Sequence, residues 1–180
     1  AAHLEILDHL PEDGETLTEL SRLYREGGRH ADLLDVLERR LAAADDAGAA
    51  LAERVALEAE IAALLAGPLA RPAEALDRWA RVLGRQGDHA QALRAVETAL
   101  DDRDLRARAV EILRPLYDAT GQDDKLAALL ARVATSADDV RERFTAWADV
   151  AMVRERRQGD LAGALDARVA ALEAAVAEPE

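Results

Sequence analysis

Four histidines, four aspartate doublets and two serines are the side chains from which this chain could build a metal site or a catalytic centre. The histidines are His3, His9, His30 and His89. No two lie four residues apart, the spacing that turns a pair of imidazoles toward one zinc on a helix face. His30 and His89 each follow a glycine closely, Gly28 and Gly87, and read as solvated turn residues. The doublets Asp45-Asp46, Asp101-Asp102, Asp123-Asp124 and Asp138-Asp139 could hold a divalent cation. Each reads more simply as a helix start, where Asp caps free N–H groups and complements the helix dipole. Ser21 and Ser136 have no histidine at a suggestive position, and with no cysteine there is no thiolate nucleophile, disulfide or thiolate metal ligand. The expectation is a chain without catalytic residues, cofactor or bound metal.

The elements that must carry these residues follow from composition. Of 180 residues, 42 are Ala and 28 Leu, whereas Val and Ile together number 14 and aromatics are 3%. A β-sandwich or barrel needs β-branched and aromatic residues on its pleated surface. Ala and Leu instead head the helix-propensity scale, so the fold class is all-α. The basic residues are 22 Arg and one Lys, and there is no Asn. That bias reads as high-GC coding in a bacterial protein. The net charge of −13, with no segregated basic patch, argues against nucleic acid and anionic membranes as partners. No apolar run is long enough for a transmembrane span and no leader is apparent, so a cytoplasmic address is expected. The chain has no initiator Met and opens inside a helical pattern, as a piece of a longer protein would.

Gly, Pro and Asp punctuate the chain into ten expected helices, near 2–10, 14–26, 30–46, 49–66, 72–85, 88–100, 104–119, 122–135, 137–157 and 160–177. Gly27-Gly28, Gly67-Pro68, Gly87, Gly121 and Gly159 stand where left-handed helix ends are expected. Asp13, Asp88, Asp104, Ser136 and Asp160 are expected N-caps, and Pro72 a first-turn residue. Pro115 falls inside a helix, where a kink is expected. Apolar stripes run along Leu17, Leu20 and Tyr24; along Leu33, Leu34, Leu37 and Leu41; and again along Val110, Leu113 and Tyr117, then Leu126, Leu129, Leu130 and Val133. Trp79, and Trp147 on the stripe Val140–Phe144–Trp147–Ala151, are expected in the core. Short loops imply antiparallel neighbours, each packed on the one before.

Self-comparison shows a repeat. A shift of 93 residues superposes Leu20, Leu23, Tyr24, Gly28, Leu33, Leu37 and Arg39 on Leu113, Leu116, Tyr117, Gly121, Leu126, Leu130 and Arg132. The segment from Gln86 through Leu93 also recurs in outline as Gln158 through Leu165. Three stretches share one internal spacing: Leu17, Leu20, Ser21 and Tyr24 through Gly28 to Leu33 and Leu37; Leu76, Trp79, Ala80 and Leu83 through Gly87 to Ala92 and Val96; and Val110, Leu113 and Tyr117 through Gly121 to Leu126 and Leu130. In these residues the chain resembles the tetratricopeptide repeats, with windows near 14–47, 73–106, 107–140 and 141–177. Pro11 stands where that family's closing Pro would precede the first window. Asp45, Asp104 and Asp138 replace the family's later prolines, Arg114 stands at a small-residue position, and helix 72–85 fits either half of a pair. The resemblance implies one helical-repeat domain over 1–180, a right-handed α-solenoid of degenerate repeats.

It also implies a non-catalytic protein–protein scaffold whose concave groove is lined by the first helix of each pair. Outward positions there are Glu15, Thr18, Arg22 and Arg25, then Asp77, Arg81 and Arg85, then Arg108 and Glu111. Some members clamp a chaperone tail with groove Asn and Lys. Here Asn is absent, and Thr18, Asp77 and Glu111 stand where that Lys would be, which excludes the clamp. The expected partner is a protein segment or an assembly, with self-association through the ends, residues 1–10 or 160–177, a further expectation. The alternatives are a regulatory sensor closing its groove on a short peptide or small ligand, and an all-helical enzyme with converging carboxylates on a metal.

Overall fold

The computed structural model describes residues 14–176, and among these it is all-α, with no strand. The helices are α1 Gly14–Glu26, α2 His30–Asp46, α3 Leu51–Ala66, α4 Pro72–Arg85, α5 Ala90–Ala99, α6 Arg106–Ala119, α7 Asp123–Ser136, α8 Val140–Val153 and α9 Leu161–Val176. A single π turn, Arg154–Gln158, continues α8. The expected helix at 2–10, with His3, His9, Pro11 and the Asp13 cap, lies outside the described residues. The chain divides into two compact units, the first ending at Ala109 and the second beginning at Val110, within α6.

In the first unit each helix from α2 to α5 packs on its predecessor, consistent with a helical repeat. Leu17, Leu20 and Tyr24 bury one face of α1, and Leu33, Leu34, Leu37 and Leu41 bury the matching face of α2. α3 buries more of its circumference than a surface helix does, through Val55, Leu57, Ala59, Ile61, Ala62, Leu64 and Leu65. Trp79 fills the centre of α4 between Leu76 and Leu83, and the small Ala92 and Ala99 with Val96 bring α5 in closely. Pro72 opens α4, where its missing N–H is no loss.

In the second unit α7 packs on α8 and α8 on α9. Leu113 and Tyr117 of α6 and Leu126, Leu129 and Leu130 of α7 are buried, as are Ala146, Val150, Ala151 and Val153 of α8. The stripe through Trp147 departs from expectation: Ala151 is buried, but Val140 and Trp147 are only half-buried and Phe144 is exposed. Val110 and Val133 are likewise half-buried. Pro115 sits inside α6 and leaves the carbonyl of Glu111 without that helical N–H.

The 93-residue repeat extends to the turns. Arg29 N–H donates to the Tyr24 carbonyl at 2.9 Å, and Gln122 N–H donates to Tyr117 at 3.0 Å. Between them Gly28 and Gly121 take the same left-handed backbone, φ 64° and 65°. Both tyrosines also carry a cation over the ring, Arg29 at 4.6 Å and Lys125 at 5.4 Å. The second repeat does not extend so far. Gly159 is left-handed whereas Gly87 is not, and the cap moves from His89 in the first copy to Asp160 in the second.

Other caps also differ from expectation. His89, not Asp88, opens α5, its Nδ1 accepting from Ala92 N–H at 3.3 Å. Asp102, not Asp104, satisfies the backbone before α6. Ser136 is the last residue of α7, and Asp139 caps α8 by accepting from Glu142 N–H at 2.8 Å. Asp45 and Asp46 close α2 instead of opening a helix. Gly67 keeps a negative φ, and Ala70 takes the left-handed backbone of that loop. Gly48, which the punctuation did not single out, is left-handed after α2. In each case a neighbouring side chain or turn of different length meets the free backbone groups, which sequence spacing alone does not distinguish.

Candidate functional site

The side chains expected to face a groove are exposed or half-buried, and most meet an opposite charge. Glu15 and Thr18 are exposed on α1, and the Thr18 hydroxyl donates back to the Gly14 carbonyl at 2.7 Å. Arg22 is held along the same helix by Glu19 and by Glu26 at 2.7 Å. Hydrogen bonds to Glu19 and then Glu26 push its guanidinium above the ordinary arginine range, so it stays cationic at any working pH. Arg25 reaches across to Glu60 of α3. Asp77 of α4 pairs with Arg108 of α6 at 2.9 Å. Arg81 and Arg85 both turn toward α3. Glu111 is exposed on α6, beyond the boundary at Ala109.

The residue that gathers this surface was not among the expected ones. Glu58 of α3 is 2% exposed. Arg78 donates to its Oε2 at 3.3 Å, while the guanidiniums of Arg81 and Arg85 lie 3.8 and 4.0 Å from its Oε1. Arg78 also pairs with Glu38 of α2. Arg85 lies 3.8 Å from Asp45 at the end of α2, a carboxylate that Arg54 of α3 holds at 3.2 Å. Four arginines (54, 78, 81 and 85) thus share three carboxylates (Glu38, Asp45 and Glu58), a local positive excess on a chain of net charge −13. Arg81 keeps 56% of its side chain exposed. Arg85 Nη1 is buried without a hydrogen-bond acceptor.

Arg78 and Glu58 had one readable signal. α3 is apolar over most of its circumference, and a charge inside such a helix must find a countercharge from a neighbour. Positions on α4 four and three residues apart, Arg78, Arg81 and Arg85, supply it from one face.

The ion pairs also order the helices. Arg25–Glu60 joins α1 to α3, Glu38–Arg78 and Asp45–Arg85 join α2 to α4, and Asp77–Arg108 joins α4 to α6. Each of these four pairs links helices two apart in sequence. Of the expected groove residues in the first unit, Arg25 is thereby tied to α3, Arg85 to α2, and Asp77 to Arg108, while Thr18 and Arg22 make their contacts within α1. The second unit uses the same device. Arg114 of α6 meets Asp149 of α8 at 2.7 Å, and Arg157 in the π turn meets Asp118 at 2.6 Å and Asp123 at 3.3 Å. Hydrogen bonds to Asp118 and then Asp123 raise the Arg157 guanidinium above its ordinary range.

His30 and His89 are not equivalent in place. His89 caps α5, with its ring 6.3 Å from that of Trp79, and His30 is the first helical residue of α2. Among the described residues no group of three or more His, Asp or Glu side chains is placed to hold a metal ion. No helix among them is long and apolar enough to cross a membrane. Comparison with known proteins finds no matching family model and no matching curated protein.

Proposed function

We propose that this chain is a non-catalytic protein-interaction scaffold, a right-handed tetratricopeptide-like solenoid that binds an acidic segment of a partner protein at the arginine face of α4. The supporting observation is the convergence of Arg78, Arg81 and Arg85 on the single buried carboxylate of Glu58. Glu58 holds the three guanidiniums in place without neutralising them all. Arg81 presents its charge to water, and Arg85 keeps about a quarter of its side chain, 28%, exposed beside it. Guanidiniums fixed this way match a carboxylate in geometry as well as charge. Helices linked two apart, α2 with α4, supply the extended face along which a segment lies.

The test is selection from a random peptide library with the full chain, repeated with Arg81→Glu and with Arg22→Glu. Acidic sequences are expected to be enriched, to weaken as salt is raised, and to be lost on Arg81→Glu while surviving Arg22→Glu. Equal capture by the Arg81→Glu protein, or no enrichment of acidic sequences, rejects the reading.

A further inference from the structure

The last helix is built inside out. Ala164, Ala167, Ala171 and Ala174 of α9 are buried against the fold, whereas Leu161, Leu165, Val169, Leu172 and Val176 are between 45% and 82% exposed. The exposed residues recur at intervals of four, four, three and four, so they form one continuous stripe nearly opposite the alanines. Val169, Leu172 and Val176 line a shallow apolar depression with Glu173, and Phe144 and Met152 of α8 extend the apolar surface beside Leu172. An apolar stripe of this size on one helix marks a contact surface.

We infer that the occupant of this stripe is the α9 of a second copy of the chain, packed parallel about a two-fold axis. Four of the five stripe residues fit the register of a two-stranded coiled coil, Val169 and Val176 at a positions and Leu165 and Leu172 at d positions, with Ala162 at the first a position and Leu161 beside it at g. β-Branched residues at a with Leu at d favour two strands. The flanking charges select the same arrangement. Arg168 falls at g and Glu173 at the following e, five residues on, which is the pair that meets across a parallel interface, Arg168 of one copy with Glu173 of the other, twice by symmetry. An antiparallel pair brings g beside g′ and e beside e′, so Arg168 would not meet Glu173. Arg168 already leans on Glu155 in the π turn, which keeps its guanidinium at the edge of the stripe. The inference concerns α9 alone and does not rest on the acidic-segment reading of α4.

The chain has no cysteine, so one introduced thiol reports the geometry without interference. Sedimentation equilibrium of the full chain is expected to show a reversible dimer. Leu172→Cys is expected to form a disulfide-linked dimer under mild oxidation, because a d residue faces its own copy. Arg168→Glu and Glu173→Arg are each expected to weaken the dimer about tenfold, and the two together to restore it. Leu165→Asp with Leu172→Asp, at positions already exposed, is expected to leave a folded monomer by circular dichroism. A wild-type chain that stays monomeric at all concentrations overturns the inference. So does crosslinking that requires both Leu165→Cys and Leu172→Cys with none at 172 alone, the pattern of an antiparallel or unrelated contact.

Discussion

Removing a carboxylate from water costs several kcal/mol unless neighbouring charges return it, and the buried Glu58 recovers that cost from Arg78, Arg81 and Arg85. The asymmetry of the cluster sets what each substitution does. Glu58→Ala leaves a half-buried Arg78 with Glu38 alone beside two more cations, and a loss of about 3 kcal/mol in urea unfolding is expected. Arg81→Ala, on an exposed side chain, is expected to change stability by no more than about 0.5 kcal/mol. Glu58→Met combined with Arg78→Met should recover part of the first loss, since the pair at 58 and 78 becomes apolar while only the more exposed Glu38 loses its partner. At this scale the sequence was only partly legible. Arg81 and Arg85 stood out because the family resemblance points to outward residues of first helices. Glu58 and Arg78 did not, because a buried charge is recognised through its partner, and the partner of an α3 residue is known only once α4 is packed on it.

Helix boundaries were legible to within about three residues, because Leu and Ala spacing determines where an apolar face begins and ends. The caps were less so. Whether a given Asp, Ser or His meets the first N–H groups depends on one or two backbone dihedrals in the turn, which the residue types around Asp88 and Ser136 do not specify. The start of α9 shows how tightly such a turn can be built. Asp160 accepts from Gly163 N–H at 2.9 Å, Arg154 donates to the Gly163 carbonyl at 3.0 Å, and a Cβ on Gly163 would stand 2.1 Å from Asp160 Oδ2. Gly163→Ala therefore has to expel the cap. It is expected to lose about 1 kcal/mol, as is Asp160→Ala. The double variant is expected to lose little more than either single one in denaturant titration, because both remove the same interaction.

Within each compact unit most ordering contacts are local: α2 to α5 pack on their predecessors, as do α8 and α9, and ion pairs reach one hairpin further. In an array of that kind stability is a sum of nearest-neighbour terms, and damage stays close to where it is made. Leu37 and Leu130 occupy equivalent buried positions 93 residues apart, one in each compact unit. Truncating either to Ala is expected to cost about 2–5 kcal/mol. Hydrogen exchange should show the Leu37→Ala protein losing protection within residues 14–109 and the Leu130→Ala protein within 110–176. Uniform loss across both ranges in either variant would mean that the chain opens as one cooperative body. The repeat that sets up this comparison was legible from spacing alone, because the same stripe and the same glycine recur in both units. The way the charged faces are shared between helices was not, since it depends on which helix of a hairpin lies beside which.

The two left-handed turns bear on how such a chain can change length. Gly28 and Gly121 follow a tyrosine by four residues, take the same φ to within a degree, and hand on to a helix whose Leu33 or Leu126 enters the core at the same step. A cut made after one glycine and rejoined after the other meets an unchanged backbone and an unchanged first core contact. The stretch between the two turns is therefore a cassette with compatible ends. Splicing at either turn keeps the local backbone of the turn intact.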